Sequence, residues 1–178
     1  MTAPTATPTS NPAAGASGAK QQFLDFYERE SATTLKVLKA FPKAQSEFTP
    51  HERSQNARTL ANTFCIEQTL AILGMQDKLD LSGGFPKPPA TWDEVVNNFE
   101  AGRTELLDLL RKTPDDGYFG TVKFFTAPGQ MSDIPKIQFL WFLGCDQIHH
   151  RGQMSVYVRM AGGKVPSIYG PSADEPWF

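Results

Sequence analysis

The stretch CDQIHHRGQ, residues 145–153, lies in a segment whose apolar residues recur at helical spacing from about Ile134 to Met160. On such a helix Asp146 and His150 are one turn apart and point the same way. The same face carries Phe139, Phe142, Leu143, Gln153 and Tyr157. A carboxylate among aromatic side chains costs several kcal/mol to desolvate, so Asp146 requires a partner. The spacing leaves open a metal ion, another cation, and a buried Asp–His hydrogen bond that joins two helices.

The chain has the length and composition of one domain. Its 178 residues, 40% of them hydrophobic, are enough to bury a normal core. Residues 1–19 carry no charged side chain and consist almost entirely of Ala, Thr, Pro, Ser, Gly and Asn. We therefore predict a disordered tail over residues 1–19 and an ordered domain over residues 20–178.

Charge and hydropathy argue against two classes of partner. The net charge of −2 and the isoelectric point near 5.9 give no basic patch for nucleic acid. No segment reaches the roughly 18 uninterrupted apolar residues of a membrane span, and residues 1–19 do not resemble a secretory signal. Cys65 and Cys145 lack C-x-x-C or zinc-finger spacing, which favours reduced thiols and a cytoplasmic protein.

Apolar periodicity and helix-breaking residues predict the first two helices. The first runs from about Gln21 to Ala40, and Pro42 ends it. The second begins near His51 to Ser54 and runs to about Gln76. Two glycines and three prolines in residues 80–90 then predict a long crossover.

Two further helices and an extended segment are predicted in the rest of the chain. Thr91 and Glu94 have the spacing of a capping box that opens the third helix. Residues 121–125 (TVKFF) predict a short extended segment or hairpin. The last helix ends at Gly162-Gly163. Aromatic residues in segment 165–178 predict an ordered C-terminal tail that packs on the helices or on a second subunit.

A second carboxylate falls in an apolar row. Glu67 lies on the inner face of the second helix, in the row Leu60, Thr63, Phe64, Glu67, Leu70 and Ala71. Arg103 interrupts the apolar row of the third helix and is a candidate partner for Glu67 or Asp146. Such a pair would satisfy the carboxylate without a metal ion.

The end of the chain resembles a known family. The run HHRGQMSVYVR (residues 149–159), followed by Gly162, Val165-Pro166 and YGPSAD (residues 169–174), resembles the last helix and tail of the DinB-like superfamily. The resemblance implies an all-α four-helix bundle with one long crossover. It also implies a divalent metal, held by a histidine of the second helix and a His-x-x-x-His pair of the last.

The family's ligand pattern is only partly present. Asp146 and His150 match the pair of the last helix, and carboxylate and imidazole both bind zinc, nickel or iron. Thr63, in the run LANT (residues 60–63), stands where the second-helix histidine would be. Glu67 lies one turn later on the same face, and we predict it as the third ligand. His149 points about 100° away from His150 around the helix. We place it either beside the metal or at the surface, with Thr63, Arg103, Gln153 and Tyr157 lining the pocket.

Two functions follow from the resemblance. In the first, the metal activates a water or a low-molecular-weight thiol for attack on a small electrophilic substrate, as in the superfamily's thiol-dependent transferases, or in a hydrolase. In the second, the site is vestigial and the chain is a non-catalytic, stress-associated dimeric module. No catalytic residue is assigned by sequence.

A homodimer is also predicted, because the last helix carries apolar or small residues away from the Asp146 face, namely Ile137, Trp141, Gly144, Ile148, Gly152 and Val156.

Overall fold

The computed structural model describes residues 12–178. Within that range the chain forms four α-helices and one antiparallel hairpin: α1 Pro12–Ala40, α2 Ala57–Met75, α3 Trp92–Lys112, β1 Thr121–Ala127, β2 Gln130–Pro135 and α4 Lys136–Met160. Short 3-10 turns lie at Lys43–Gln45 and Asp115–Tyr118. The predicted helical fold is therefore confirmed, and so is the short extended segment or hairpin predicted from residue 121. Among the described helices, none is long and apolar enough to cross a membrane.

Capping residues set the helix boundaries. Thr91 Oγ1 accepts a hydrogen bond from the Glu94 amide, and the Glu94 carboxylate accepts one from the Thr91 amide, so the predicted capping box is confirmed. The predicted start of the second helix at His51–Ser54 is wrong. Asn56 caps α2 by accepting from the Thr59 amide at 2.8 Å, which fixes the helix start at Ala57.

Helix α1 begins before the predicted position. It starts at Pro12, whereas periodicity placed its start near Gln21. The helix thus enters the segment predicted as a disordered tail over residues 1–19. Residues 1–11 of that tail lie outside the described part of the chain.

The four helices contact each other in a closed ring of pairs. α1 packs on α3 and α4, and α2 packs on the same two helices. Close approach of α1 and α4 depends on Gly144, because a Cβ there would come within 2.6 Å of the Phe26 ring. Gly144 therefore serves packing within the chain and not the subunit contact for which sequence suggested it.

Buried apolar side chains form two clusters separated by a polar layer. One cluster includes Phe23, Leu70, Leu106 and Phe139, and the other includes Val37, Phe64, Phe99 and Met154. Between them along the helices lie buried polar residues: Glu30, Ser31, Thr34, Glu67, Gln68, Gln147 and Arg151. Since buried polar groups require partners, this layer is where the fold concentrates its specific hydrogen bonds.

The hairpin and the C-terminal tail cover the helices. Val122 and Phe124 of β1 are buried, and the Phe124 ring packs edge-on against Phe139 of α4. The tail is held by Asp174, which accepts from the Val165 amide at 2.8 Å and pairs with Arg159. Phe124 of the hairpin and Phe85 of the loop before α3 line the same cleft as Glu67 of α2 and Asp146 of α4.

Candidate metal centre

Three acidic and imidazole side chains meet in the polar layer. Glu67 of α2 and Asp146 and His150 of α4 each offer one ligand atom, and these atoms all lie within 4.8 Å of one another. His150 Nδ1 is 2.9 Å from Glu67 Oε1 and 3.8 Å from Asp146 Oδ1. The three residues that sequence singled out as metal ligands are thus brought together, and we call them the triad.

The burial of Glu67 leaves one of its oxygens in need of a partner. The side chain is only 4% exposed, and among the described residues its Oε2 has no hydrogen-bond partner. Burial raises the pKa of Glu67 to about 7, although the hydrogen bond with His150 opposes that rise. The same hydrogen bond raises the pKa of His150. A bound ion or an ordered water is the usual partner of such a buried oxygen.

The spacing of the triad fits a divalent ion. Four ligands placed tetrahedrally at about 2.1 Å from a zinc ion are about 3.4 Å apart from each other. The separations of His150 Nδ1 from Glu67 Oε1 and Asp146 Oδ1, 2.9 and 3.8 Å, lie on either side of that value. Two carboxylates and one imidazole also form a donor set suited to zinc, nickel or iron, with coordination positions left for water or substrate.

Two clefts open beside the triad. Glu67 and Asp146 line a mainly apolar cleft of about 400 Å³. His150 lines a more polar cleft of about 410 Å³. Gln55, in the loop before α2, lines both. A ligand held by the triad would therefore be reachable from two sides.

Three of the predicted pocket residues line these clefts. Thr63 lines the apolar cleft, with its hydroxyl 3.5 Å from the Thr59 carbonyl. Gln153 and Tyr157 line the polar cleft, and the Tyr157 hydroxyl donates to the Gln55 carbonyl at 2.9 Å. Thr63 stands where the family has its second-helix ligand, and its hydroxyl lies near a carbonyl oxygen of its own helix.

Arg103 and His149 lie elsewhere. The Arg103 guanidinium is directed at α1, where it donates to Ser31 Oγ at 2.9 Å and to the Glu28 carbonyl at 3.4 Å. Pairing of Arg103 with Glu67 or Asp146, which sequence left open, is therefore not found among the described residues. His149 is exposed, and its Nε2 is 3.1 Å from Gln153 Nε2. The carboxylates of the triad thus remain available to an ion.

The orientation of α4 differs from the predicted one. The predicted inner face included Phe142 and Gln153, but both are exposed. The most buried stripe instead includes Leu140, Gln147 and Arg151. The triad residues of α4 consequently lie at the margin of the core, where the clefts open, and not at its centre.

Sequence reasoning missed the buried ion pair of Glu30 and Arg151. Arg151 donates to Glu30 Oε2 at 2.6 Å, and the Tyr169 hydroxyl of the tail donates to the same oxygen at 2.6 Å. Both charged side chains are almost completely buried. A signal was present, because Glu30 falls in the apolar row of α1 that also contains Phe23, Tyr27, Thr34 and Val37.

Comparison with known proteins identifies the relatives of this chain. Residues 126–177 match the DinB family model. Over 42 residues the chain is 52% identical to the uncharacterized protein YrdA of Bacillus subtilis strain 168, a match that spans 24% of this chain and 25% of that protein. The aligned part is thus about a quarter of the relative's length.

Two solved structures share the fold. A DinB-like protein from Bacillus cereus ATCC 10987 has a TM-score of 0.71 at 22% identity, covering 84% of this chain and 97% of that one. The DinB-like protein YjoA of Bacillus subtilis has a TM-score of 0.65 at 14% identity, covering 83% and 97%. At these identities the likeness concerns the fold alone. The predicted resemblance to the superfamily is confirmed.

Proposed function

On the premise that this chain has the DinB-like fold and a DinB family segment near its C-terminal end, we propose that it is a divalent-metal-dependent enzyme. The observation that carries the proposal is the triad of Glu67, Asp146 and His150, in which a buried carboxylate oxygen lacks a partner among the described residues. Zinc, nickel or iron(II) suits this donor set. A site whose residues line two clefts supports catalysis better than a purely structural ion, which is normally enclosed by protein ligands.

We propose a thiol-dependent transfer as the reaction. A bound divalent ion lowers the pKa of a thiol or water that it contacts. The sulfur then forms a bond to an electrophilic carbon, the bond from that carbon to its leaving group breaks with its electron pair, and the thiol proton passes to solvent. Glu67, Asp146 and His150 would hold the ion, and the clefts would bring the two reactants to it. Hydrolysis is the corresponding reaction with water as the nucleophile.

We also propose that the fold is a four-helix bundle with one long crossover. The ring of contacts, in which α1 and α2 each pack on α3 and α4, supports a four-helix bundle within residues 20–178. The segment between α2 and α3 would be its long crossover. Location in the cytoplasm stays a prediction.

A homodimer is proposed as the assembly. Val156 and Met160 of α4 and Trp177 and Phe178 of the tail are exposed apolar side chains. A Cβ at Gly152 would meet open space, so a second helix could approach there. Of the predicted face, Ile137 and Trp141 instead pack against the chain's own core. The proposed contact therefore lies toward the C-terminal half of α4.

A conjugation assay tests the proposed function. Protein purified without a metal-affinity tag is stripped of metal and reloaded with zinc, nickel or iron(II). It is then mixed with L-cysteine and 1-chloro-2,4-dinitrobenzene, and the thioether is followed by absorbance. We expect a rate above the uncatalysed reaction that requires metal and is lost in His150→Ala. A protein that binds metal but gives no rate with thiol or water as nucleophile would favour the vestigial, non-catalytic alternative.

A further inference from the structure

We propose that the two clefts at the triad hold different reactants, with an apolar electrophile on one side and a polar thiol on the other. This inference rests on the proposed function and adds the substrate class. The apolar cleft takes a small, mainly aromatic or aliphatic molecule that carries a leaving group. The polar cleft takes the hydrophilic part of a low-molecular-weight thiol.

The lining of the first cleft indicates an apolar occupant. Its walls come from α2, α4, the hairpin and the crossover loop, and its apolar lining residues are Ile66, Leu70, Phe85, Pro86, Pro88, Phe124, Phe142 and Leu143. Phe85 and Phe142 are each more than half exposed to water. Neighbouring apolar side chains that remain open to solvent in a concave site provide the usual driving force for binding an apolar ligand.

The size of this cleft limits the occupant to a small molecule. Its volume of about 400 Å³ is at the lower end of the roughly 300–1,000 Å³ common for ligand pockets. The carboxylates of Glu67 and Asp146 lie among its lining residues, so the reactive end of a bound molecule can reach the triad while its apolar part contacts the rings.

The second cleft has different chemistry. Five of its six lining residues offer polar side chains, namely Ser54, Gln55, His150, Gln153 and Tyr157. Hydroxyl and amide groups can both donate to and accept from the amino, carboxylate or amide groups of a small hydrophilic thiol. His150 of the triad is in this lining, so a thiol bound here also reaches the metal position.

The division between the clefts suits a reaction of two substrates. Gln55 lines both, and its carbonyl is held by the Tyr157 hydroxyl at 2.9 Å. Glu67 and Asp146 face one side and His150 the other. The nucleophilic sulfur and the electrophilic carbon would thus approach from separate openings and meet at the triad, which favours reaction between them.

The test uses a neutral apolar fluorophore, N-phenyl-1-naphthylamine. We expect saturable binding of about one molecule per chain, with or without metal, because the apolar contacts do not involve the ion. Phe142→Ala and Phe85→Ala should each weaken binding about five- to tenfold through loss of contact area. Phe119→Ala is the matched control, because Phe119 is also an exposed phenylalanine, at 47% against 52% for Phe142, but lies outside the cleft. Its affinity should match that of the parent.

The kinetic test separates the two clefts. In the conjugation assay, Phe142→Ala should raise KM for 1-chloro-2,4-dinitrobenzene, whereas Gln153→Ala should raise KM for L-cysteine, each with little effect on the other substrate. Two results for an active, metal-loaded enzyme would overturn the inference and leave the proposed function intact. One is that the enzyme does not bind the fluorophore. The other is that neither KM value changes in Phe142→Ala or Phe85→Ala. Fluorophore binding that is lost in both Phe variants, in a protein inactive with every metal, would support the apolar cleft while the proposed function fails.

Discussion

His150 Nδ1 of α4 lies 2.9 Å from Glu67 Oε1 of α2, although the two residues are 83 positions apart in the chain. This contact joins the two helices inside the polar layer. The family resemblance places a metal-binding histidine at Thr63, one turn before Glu67. In this chain the carboxylate of Glu67, one turn later on α2, reaches His150 of α4. We therefore propose that Glu67 takes the role that the missing histidine would have.

Glu67→Gln tests that assignment. Gln has nearly the same size and can keep a hydrogen bond to His150, but it lacks the negative charge that binds a cation. We expect metal affinity to fall at least tenfold. Replacing a residue that only supports a metal ligand already lowers affinity by about 10- to 100-fold, and replacing a ligand should cost no less. The melting temperature of the metal-free protein should not fall, because a desolvated carboxylate is removed. Unchanged affinity with a lowered melting temperature would show that Glu67 is a structural ion-pair partner instead.

Metal affinity should depend on pH near neutrality. Burial raises the pKa of Glu67 to about 7, and the hydrogen bond with Glu67 raises that of His150, so both hold protons at higher pH than usual. Protons therefore compete with the metal below pH 7. Apparent affinity should increase as pH rises from about 5.5 to 7, by up to about tenfold per unit for each proton released. Titration calorimetry at several pH values measures this slope. A slope of zero in the parent, or one unchanged in Glu67→Gln, would contradict the account.

The buried pair of Glu30 and Arg151 should stabilise the fold. Replacing Glu30 with Gln leaves the Arg151 charge buried without its counter-ion, which costs roughly 3–5 kcal/mol in the free energy of unfolding. Tyr169→Phe removes a neutral hydroxyl that donates to Glu30 and accepts from Arg151, but it leaves both charges in place and should cost about 1–2 kcal/mol. Urea denaturation of both variants measures the difference. An equally small decrease in the free energy of unfolding of both variants would show that the charge of Glu30 does not stabilise the fold.

The same pair predicts how stability responds to acid. Burial pushes the pKa of Glu30 up, but hydrogen bonds from Tyr169 and Arg151 hold it below its ordinary value. The folded state thus binds this proton less readily than the unfolded state. The stabilisation is present above the ordinary pKa of 4.5 and is lost as pH falls through the lowered pKa. Parent and Glu30→Gln should therefore converge in stability at low pH. A gap that persists there would contradict this explanation.

Local sequence signals predicted much of the fold and the core of the site. The capping box of Thr91 and Glu94 is decided by residues three positions apart, so it was visible without tertiary information. The spacing of Asp146 and His150 fixed their common face. Glu67 stood out because burying a carboxylate among apolar side chains costs desolvation free energy. Each of these signals depends on contacts within one turn or one helix.

The remaining features depend on contacts between distant segments. Periodicity gave α4 the wrong orientation, because the buried Gln147 and Arg151 look like surface residues while the exposed Phe142 looks like core. The partners of Arg103 are Ser31 and the Glu28 carbonyl on α1, which spacing within α3 cannot reveal. Several polar residues precede α2, and local sequence does not show which of them caps the helix. In the structure Asn56 is the cap.

Light scattering tests the proposed dimer. The parent should have about twice the chain mass of 19.7 kDa at micromolar concentration. Val156→Glu should produce a monomer, because it places a charge in the proposed apolar contact. Lys123→Glu, on an exposed position of the hairpin, is the control and should remain dimeric. A parent mass near 19.7 kDa would rule the dimer out.

Metal content is the most direct test of the triad. Protein purified without a metal-affinity tag should contain about one divalent ion per chain by elemental analysis. His150→Ala should lose that ion while keeping its helical circular dichroism, because a core of this size does not depend on one ion. The neighbouring His149→Ala should retain it. Equal metal content in the parent and in His150→Ala would contradict the central claim that Glu67, Asp146 and His150 hold a divalent metal.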